Sequence, residues 1–350
     1  MEAGENAALI TVISTVGSTP GKVGYRMLVW GEQPQTLGTV GGGLTEAEMI
    51  NASKNMLAHP ANAVFRLSLT EDDGERGICG GSVEFLIETF DAAYIPLFKE
   101  LTSAFAQGQE GVLVSLVSPG RKPAKFFAQN VDKIPDAAGL DLSPQDLAAI
   151  KTLAAKEQAA KITLSQGTAV FLETITALPM LLICGAGHIA SHIVRLAGPL
   201  GFRTTVCDER PEYANRQRFP DADNMVVDSF ENVFEKVCID GNSYIVIVTR
   251  GHKCDEVVLE HVLRYSPRYT GMIGSKRKTL TILESLRQKG VPAEKLRKVY
   301  SPIGLSIGAV TPEEIALSIV SELVKVRRLG DNAAAGHMKI ECERSREDKK

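Results

Sequence analysis

The sequence predicts an α/β protein in two parts, an α+β domain followed by a doubly wound parallel sheet. Three observations carry this. The second half alternates short apolar runs with amphipathic stretches, the pattern of strands covered on both faces by helices. One of those runs ends in Gly185-Ala186-Gly187, with Ala190 three residues on, and a second β-rich run then finishes in Asp208. The first half instead strings strand-like runs between Gly/Pro turns, with fewer helices.

The stretch 181–208 has the strand–turn–helix–strand order of a dinucleotide-binding βαβ unit, so the C-terminal domain is expected to be Rossmann-like. Glycines at the turn let backbone N–H groups approach a pyrophosphate at a helix N-terminus, and alanine is allowed at the third fingerprint position. Asp208 lies 21 residues beyond Gly187, a suitable distance for an acid that accepts from a ribose hydroxyl.

In chain order, 8–16 and 25–31 read as strands around a Gly/Pro turn, and 36–43 as a short strand ending in three glycines. A helix is expected over 45–59, strands over 63–70 and 82–90, a helix near 93–107 and a strand over 111–118. The polar segment 119–145 reads as irregular, and a long polar insert is placed around 119–165. A helix spans 144–158 and a strand 167–175. Leu178-Pro179 is the expected junction, giving an N-terminal domain over 1–178 and a Rossmann-like domain over 179–330. In the second half, 203–208, 224–229, 243–249 and 269–275 read as parallel strands. Helices are expected at 188–199, 230–237, 255–265, 276–289 and 312–328. Pro312 followed by Glu313 and Glu314 marks a helix start, with proline and acids in the first turn. Residues 331–350 are small, polar and charged, and read as a disordered tail.

At 350 residues the chain is long enough for two cores. A net charge of −3 provides no basic field, which argues against a nucleic-acid partner. No apolar run approaches the ~20 residues of a membrane span, and the N-terminus reads as lacking a secretory signal. The six cysteines are scattered without a CxxC, as expected of free thiols in a reducing compartment, here the cytoplasm. Cys184, Cys207 and Cys238 sit in or beside apolar runs and read as small buried hydrophobes.

Five clusters can carry chemistry. Gly41, Gly42 and Gly43 lead to Glu46, either a close backbone approach to a ligand or a tight strand-to-helix turn. Cys79-Gly80-Gly81 follows a charged loop, where Arg76 is placed to lower a thiol pKa; an incidental loop cysteine is the competing reading. Thr249-Arg250-Gly251-His252, with Asp255, follows a strand. The carboxyl ends of such strands are where ligands bind in doubly wound sheets. Asp255 reads equally as a first-turn helix acid. Gly274-Ser275-Lys276-Arg277-Lys278 suits an anion at a helix N-terminus, although Lys278 fits a solvated basic face. Ser301-Pro302-Ile303-Gly304-Leu305, with Ile307 and Gly308, either closes over a ligand or simply connects strand to helix. His188 lies in the glycine loop, facing any bound phosphate, whereas His192 reads as a helix-surface or core residue. The chain carries no nucleophile elbow, Walker A, zincin or Cys/His zinc spacing.

The order of these clusters resembles the XdhC/CoxI family of xanthine dehydrogenase accessory proteins over nearly the whole chain. The N-terminal marks are Gly17-Ser18-Thr19-Pro20 with Gly24, Gly38 to Gly43 with Glu46, and Cys79-Gly80-Gly81. The C-terminal marks are Gly185-Ala186-Gly187-His188, Asp208-Glu209-Arg210-Pro211, Thr249 to His252, Gly274 to Lys278, Pro302 to Leu305, and Thr311-Pro312-Glu313-Glu314. Thr19 departs from the serine frequent in the family, and Gly21-Lys22 stands where an arginine often follows.

The resemblance implies a cytoplasmic molybdenum cofactor chaperone. Such a protein binds molybdopterin, as such or as a dinucleotide. It assists sulfuration by a cysteine desulfurase and delivers the cofactor to a molybdenum hydroxylase such as xanthine dehydrogenase. A homodimer is expected, with the two domains facing each other across the cofactor, whether from one chain or from two. The cofactor-binding residues carried over are Gly41, Gly42, Gly43, Glu46, Cys79, Gly185, Gly187, His188, Asp208, Arg210, Arg250, His252, Ser275 and Lys276, with Cys79 as the contact to molybdenum or sulfur. Two other readings stand beside it. One is an NAD(P)-dependent oxidoreductase in which His252 serves as the acid; Asp208 favours NAD, and Arg210 blurs that choice. The other is a Rossmann domain kept only for dimerisation or docking, since function belongs to the site rather than the fold.

Overall fold

The computed structural model describes residues 5–59, 61–68, 80–106, 108–134, 140–156 and 158–330. Cys79 and the expected tail at 331–350 lie outside the described residues. The chain divides into two compact units, Met1–Ala177 and Leu178–Lys350.

The first unit holds two antiparallel sheets. One has five strands in the order β3-β2-β1-β5-β4, from β1 (Ala7–Val16), β2 (Arg26–Trp30), β3 (Gln35–Gly38), β4 (Asn62–Ser68) and β5 (Ser82–Phe90). Helix Gly43–Met56 lays Met49 and Met56 on its core of Ile10, Val12, Phe85 and Ile87. The second sheet has the order β7-β6-β9-β8, from β6 (Gly111–Leu116), β7 (Lys125–Ala128), β8 (Ala160–Thr163) and β9 (Ala169–Ile175). Helix Pro144–Ala155 covers it with Ile150 and Leu153.

The stretch expected to be irregular and inserted therefore supplies two of those four strands. Lys125 obscures β7, because a cation at a buried strand position argues against a strand. Here it ion-pairs with Glu88 of β5 at 2.9 Å, their side chains 2% and 0% exposed, and donates to the Ser115 hydroxyl. A distant partner makes the position habitable. The expected strand 36–43 ends early, at Gly38, whose positive φ of 89° turns the chain beside the Arg26 carbonyl.

The second unit is one six-stranded parallel sheet in the order β12-β11-β10-β13-β14-β15. Its strands are β10 (Met180–Cys184), β11 (Arg203–Asp208), β12 (Asn224–Val227), β13 (Tyr244–Ile247), β14 (Tyr269–Met272) and β15 (Val299–Tyr300). This is the doubly wound Rossmann order, with its switch point between β10 and β13. Both faces are covered. Leu181, Ile183 and Val246 pack with helices His188–Ala197 and Pro312–Leu329, while Leu182, Ile245 and Ile247 pack with helices His252–Val262 and Lys276–Gln288. Pro312–Leu329 starts at a capping box, Thr311 with Glu314, as its sequence announces. The helix expected over 230–237 shrinks to Val233–Lys236. Cys184 and Cys207 are buried side by side in register, but Cys238 is exposed, against expectation. Its neighbours Val233 and Phe234 face the core, and the short helix ends before it. No described helix is long and apolar enough to cross a membrane.

Candidate functional site: a glycine-lined turn and a crevice at the strand ends

In the first unit, three of the singled-out motifs come together through their backbones. A Cβ on Gly21 would lie 2.4 Å from the Val40 carbonyl, and one on Gly81 2.4 Å from the Ser18 carbonyl and 2.6 Å from that of Val16. Ser18 and Gly80 form an isolated bridge. Thr19, where the family often has serine, is buried and donates its hydroxyl to the Gly21 carbonyl at 2.8 Å, holding the Pro20 turn.

Glu46 is committed to the same framework. One carboxylate oxygen accepts from Val40 N at 3.0 Å, from Gly42 N at 2.9 Å and from the Thr39 hydroxyl. Burial opposes ionisation of Glu46, but these hydrogen bonds outweigh it and hold its pKa below the usual range. Gly42 and Gly43 have positive φ, and a Cβ on either would meet nothing within 4 Å, so their open side faces away from the packing.

In the second unit, the predicted residues after β10, β13 and β14 stand at the carboxyl ends of these parallel strands, the crevice position of a doubly wound sheet. Gly185, with φ 108°, lets the turn pass over β13; a Cβ there would lie 2.5 Å from the Val248 carbonyl. Gly187 is the N-cap of helix His188–Ala197, has an ordinary extended backbone, offers no capping side chain and faces open space. The first N–H groups of that helix have no intrahelical partner. His188, Arg250, His252, Ser275 and Lys276 are all exposed around it. His192 is half-buried beside Glu313, at 3.2 Å.

The two buried carboxylates of the crevice, Asp208 and Asp255, are both engaged. Asp208 is 1% exposed. Its Oδ2 accepts from Ala186 N at 2.8 Å and from Arg210 Nη2 at 2.9 Å, and its Oδ1 from Arg210 N at 3.1 Å and Arg210 Nε at 2.8 Å. Burial opposes its charge, yet Arg210 and the Ala186 amide hold its pKa below the usual carboxylate range, and Asp208 in turn raises that of Arg210. The Arg210 guanidinium lies 3.9 Å from the centre of the Tyr213 ring, which Arg218 also approaches at 4.9 Å.

Asp255 has no exposed surface. It accepts from the Thr249 hydroxyl at 2.5 Å and from the Lys278 ammonium, which also reaches the Ile273 carbonyl at 3.4 Å. Lys278 is thus not the solvated cation its sequence suggests. It ties the loop after β13 to the loop after β14. Its basic neighbours and a spacing of 23 residues from Asp255 conceal this in the sequence.

The 301–305 segment is pinned rather than free to close. Gly304 N donates to Glu322 at 2.9 Å, the Ser318 hydroxyl donates to the Leu305 carbonyl at 2.7 Å, and Tyr269 donates to the same Glu322 oxygen. Sequence reading missed Glu322, a buried acid on a helix that otherwise reads as amphipathic. A cavity of about 600 Å3, lined by Tyr265, Arg268, Lys298 and Tyr300 among others, lies at the opposite, amino ends of the strands, away from the crevice.

Two thiols of this unit have raised pKa values. Hydrogen bonding to Cys207 and burial push the Cys184 pKa well up, and burial and nearby carboxylates raise that of Cys254. Among the described residues no cluster of His, Cys, Asp or Glu is arranged to hold a metal ion.

Comparison with known proteins follows the same division. The family model described as the XdhC Rossmann domain matches residues 181–323, and the one described as the XdhC and CoxI family matches residues 1–68. A probable xanthine dehydrogenase subunit of Bacillus subtilis is 25% identical over 334 residues, 94% of this chain and 95% of its own length. An uncharacterized protein of Escherichia coli, YqeB, is 32% identical over 170 residues, 48% of this chain but only 30% of that relative's length. A crystal structure described as a xanthine dehydrogenase from Bacillus halodurans is 25% identical and aligns over 95% of this chain and 94% of its own, with a TM-score of 0.77.

Proposed function

Because the chain belongs to the XdhC and CoxI family, we propose that it serves the maturation of a xanthine dehydrogenase-type molybdenum hydroxylase, as the carrier of its molybdenum cofactor. The observation that carries this reading is the crevice. It offers backbone N–H groups, two histidines, an arginine and a lysine around open space, and its two buried carboxylates are already neutralised by Arg210 and Lys278.

That donor set fits the phosphate of a pterin cofactor, with or without a nucleotide. The N–H groups at the start of helix His188–Ala197 and the side chains of His188, Arg250, His252, Ser275 and Lys276 are the groups that would hold it. When bound, the cofactor supplies the molybdenum centre at which an oxo ligand is exchanged for sulfur. Gly187 keeps the backbone open to an anion. Asp208, through Ala186 N, holds the glycine loop in shape. Asp255 and Lys278 fix the spacing between the two loops that carry Arg250, His252 and Lys276.

In this reading a cysteine desulfurase is a second partner, the carrier works as a cytoplasmic homodimer, and Cys79 handles molybdenum or sulfur. Cys184 and Cys254, whose thiol pKa values are raised, are poor candidates for that role, because a nucleophilic thiolate needs exposure and a lowered pKa.

The test is to purify the full chain from cells that make the cofactor, then measure molybdenum and the fluorescence of the oxidised pterin. Activation of an apo hydroxylase is assayed alongside. The wild type should retain both and activate. Gly187→Val should retain neither while staying folded. Cys79→Ala should carry the cofactor but activate poorly. A wild type without pterin or molybdenum and without effect on the hydroxylase refutes the carrier reading.

A further inference from the structure

We infer that the crevice has kept the anion-holding half of the dinucleotide fingerprint and lost its ribose-reading half, and that Arg210 is the residue responsible. On the carrier reading the ligand is phosphorylated; with Asp208 closed it presents no free ribose diol there, and the nicotinamide cofactors usual for this fold do not fit. This deepens the carrier reading and rests on it for the identity of the anion.

A ribose-reading acid needs open lone pairs for two neighbouring hydroxyls. A carboxylate has about four acceptor positions. Asp208 spends all of them inside the protein, on Ala186 N and on three Arg210 donors. Two of those are the parallel bonds of a guanidinium fork, stronger than bonds from neutral hydroxyls and directional as well. The guanidinium is secured from its other side by the Tyr213 ring at 3.9 Å, and the side chain is 22% exposed. A ribose would have to break the fork, the ring contact and the seal over a carboxylate that is 1% exposed. A 2′-phosphate would find Arg210 already committed to Asp208.

The anion-holding half is untouched by this. Gly187 faces open space, and Arg250, His252 and Lys276 stand free of the Asp208 network.

The test titrates the full chain calorimetrically with pyrophosphate, NADH and NADPH. Wild type should bind pyrophosphate saturably and neither nicotinamide nucleotide at millimolar concentration. Arg210→Ala should uncover Asp208 and bind NADH about tenfold or more tighter than wild type, the release of at least one charge-assisted bond. Its pyrophosphate affinity should fall, because Asp208 is no longer neutralised, so a gain for NADH reports the ribose and not the anion. Should Arg210→Ala not fold, Arg210→Lys retains charge and stem without the fork and should show the same gain.

Saturable NADH or NADPH binding by wild type that Asp208→Asn weakens would overturn the inference. So would a folded Arg210 variant with no gain, or a wild type that ignores pyrophosphate. Loss of the carrier reading is scored separately, by pterin and molybdenum content, so the two can fail independently.

Discussion

Lys278→Met tests how much the buried tie between the two crevice loops is worth. Asp255 has no exposed surface, and its side-chain partners are the Lys278 ammonium and the Thr249 hydroxyl. Removing the ammonium leaves a sealed carboxylate with one neutral donor. Breaking a buried pair from one side costs about 3–5 kcal/mol. The lower end applies, because the Lys278 side chain is 26% exposed and solvent already screens part of the pair. The opposite truncation, Asp255→Ala, leaves an ammonium that reaches water and a hydroxyl without its acceptor, and should cost only about 1–2 kcal/mol. The double variant Asp255→Leu/Lys278→Met strands no charge and should recover most of the loss.

Hydrogen exchange in peptides covering β10 and β13 reads the opening free energy of this unit alone. A loss of about 3 kcal/mol appears there as exchange about 100-fold faster or more. If Lys278→Met speeds exchange by less than about threefold, the range of ordinary surface substitutions, the pair is not holding the loops. An Asp255→Ala variant more damaging than Lys278→Met would refute the asymmetry argument directly.

The glycines of the 185–187 turn should behave differently from one another. Gly185→Ala places a Cβ 2.5 Å from a carbonyl at φ 108° and should destabilise the unit by about 3 kcal/mol or more. Gly187→Val, in ordinary backbone and open space, should melt within a few degrees of wild type and lose pyrophosphate binding; a large drop in melting temperature would contradict the geometry. Acid should loosen both glycine turns. Asp208 and Glu46 have folded pKa values below their unfolded ones, so their contributions are complete above about pH 5 and fade as pH falls through the folded values. Amide protection at Ala186 and Gly42, corrected for intrinsic rates and measured from neutral pH downward, should drop in that window. Protection lost on raising the pH from 5 to 8 would reverse the sign and refute the assignment.

The Rossmann half is legible because its signals are local. Buried strands read as apolar runs, Gly185-Ala186-Gly187 marks the turn, and Thr311-Pro312 with Glu314 marks a helix start. What stays hidden is pairing across distance. Asp208 looks like a ribose acid until its rotamer and that of Arg210 are known. Lys278 looks solvated until helix Lys276–Gln288 is laid beside Asp255. Lys125 looks like a loop residue until Glu88 is brought to it by another sheet. In each case the deciding term is a charge whose partner the sequence does not place. Cys238 fails for a different reason, since apolar neighbours do not say which side of a four-residue helix a thiol will take.

The meeting of Gly21 with Val40, and of Gly81 with Ser18 and Val16, means that this part of the N-terminal unit is made of main chain laid on main chain. Amides and carbonyls there are spaced by the close approach of two backbones, with Thr19 and Glu46 as the side chains that fasten them. Its chemistry is inherited as a path through space, and single substitutions act on it as changes of shape.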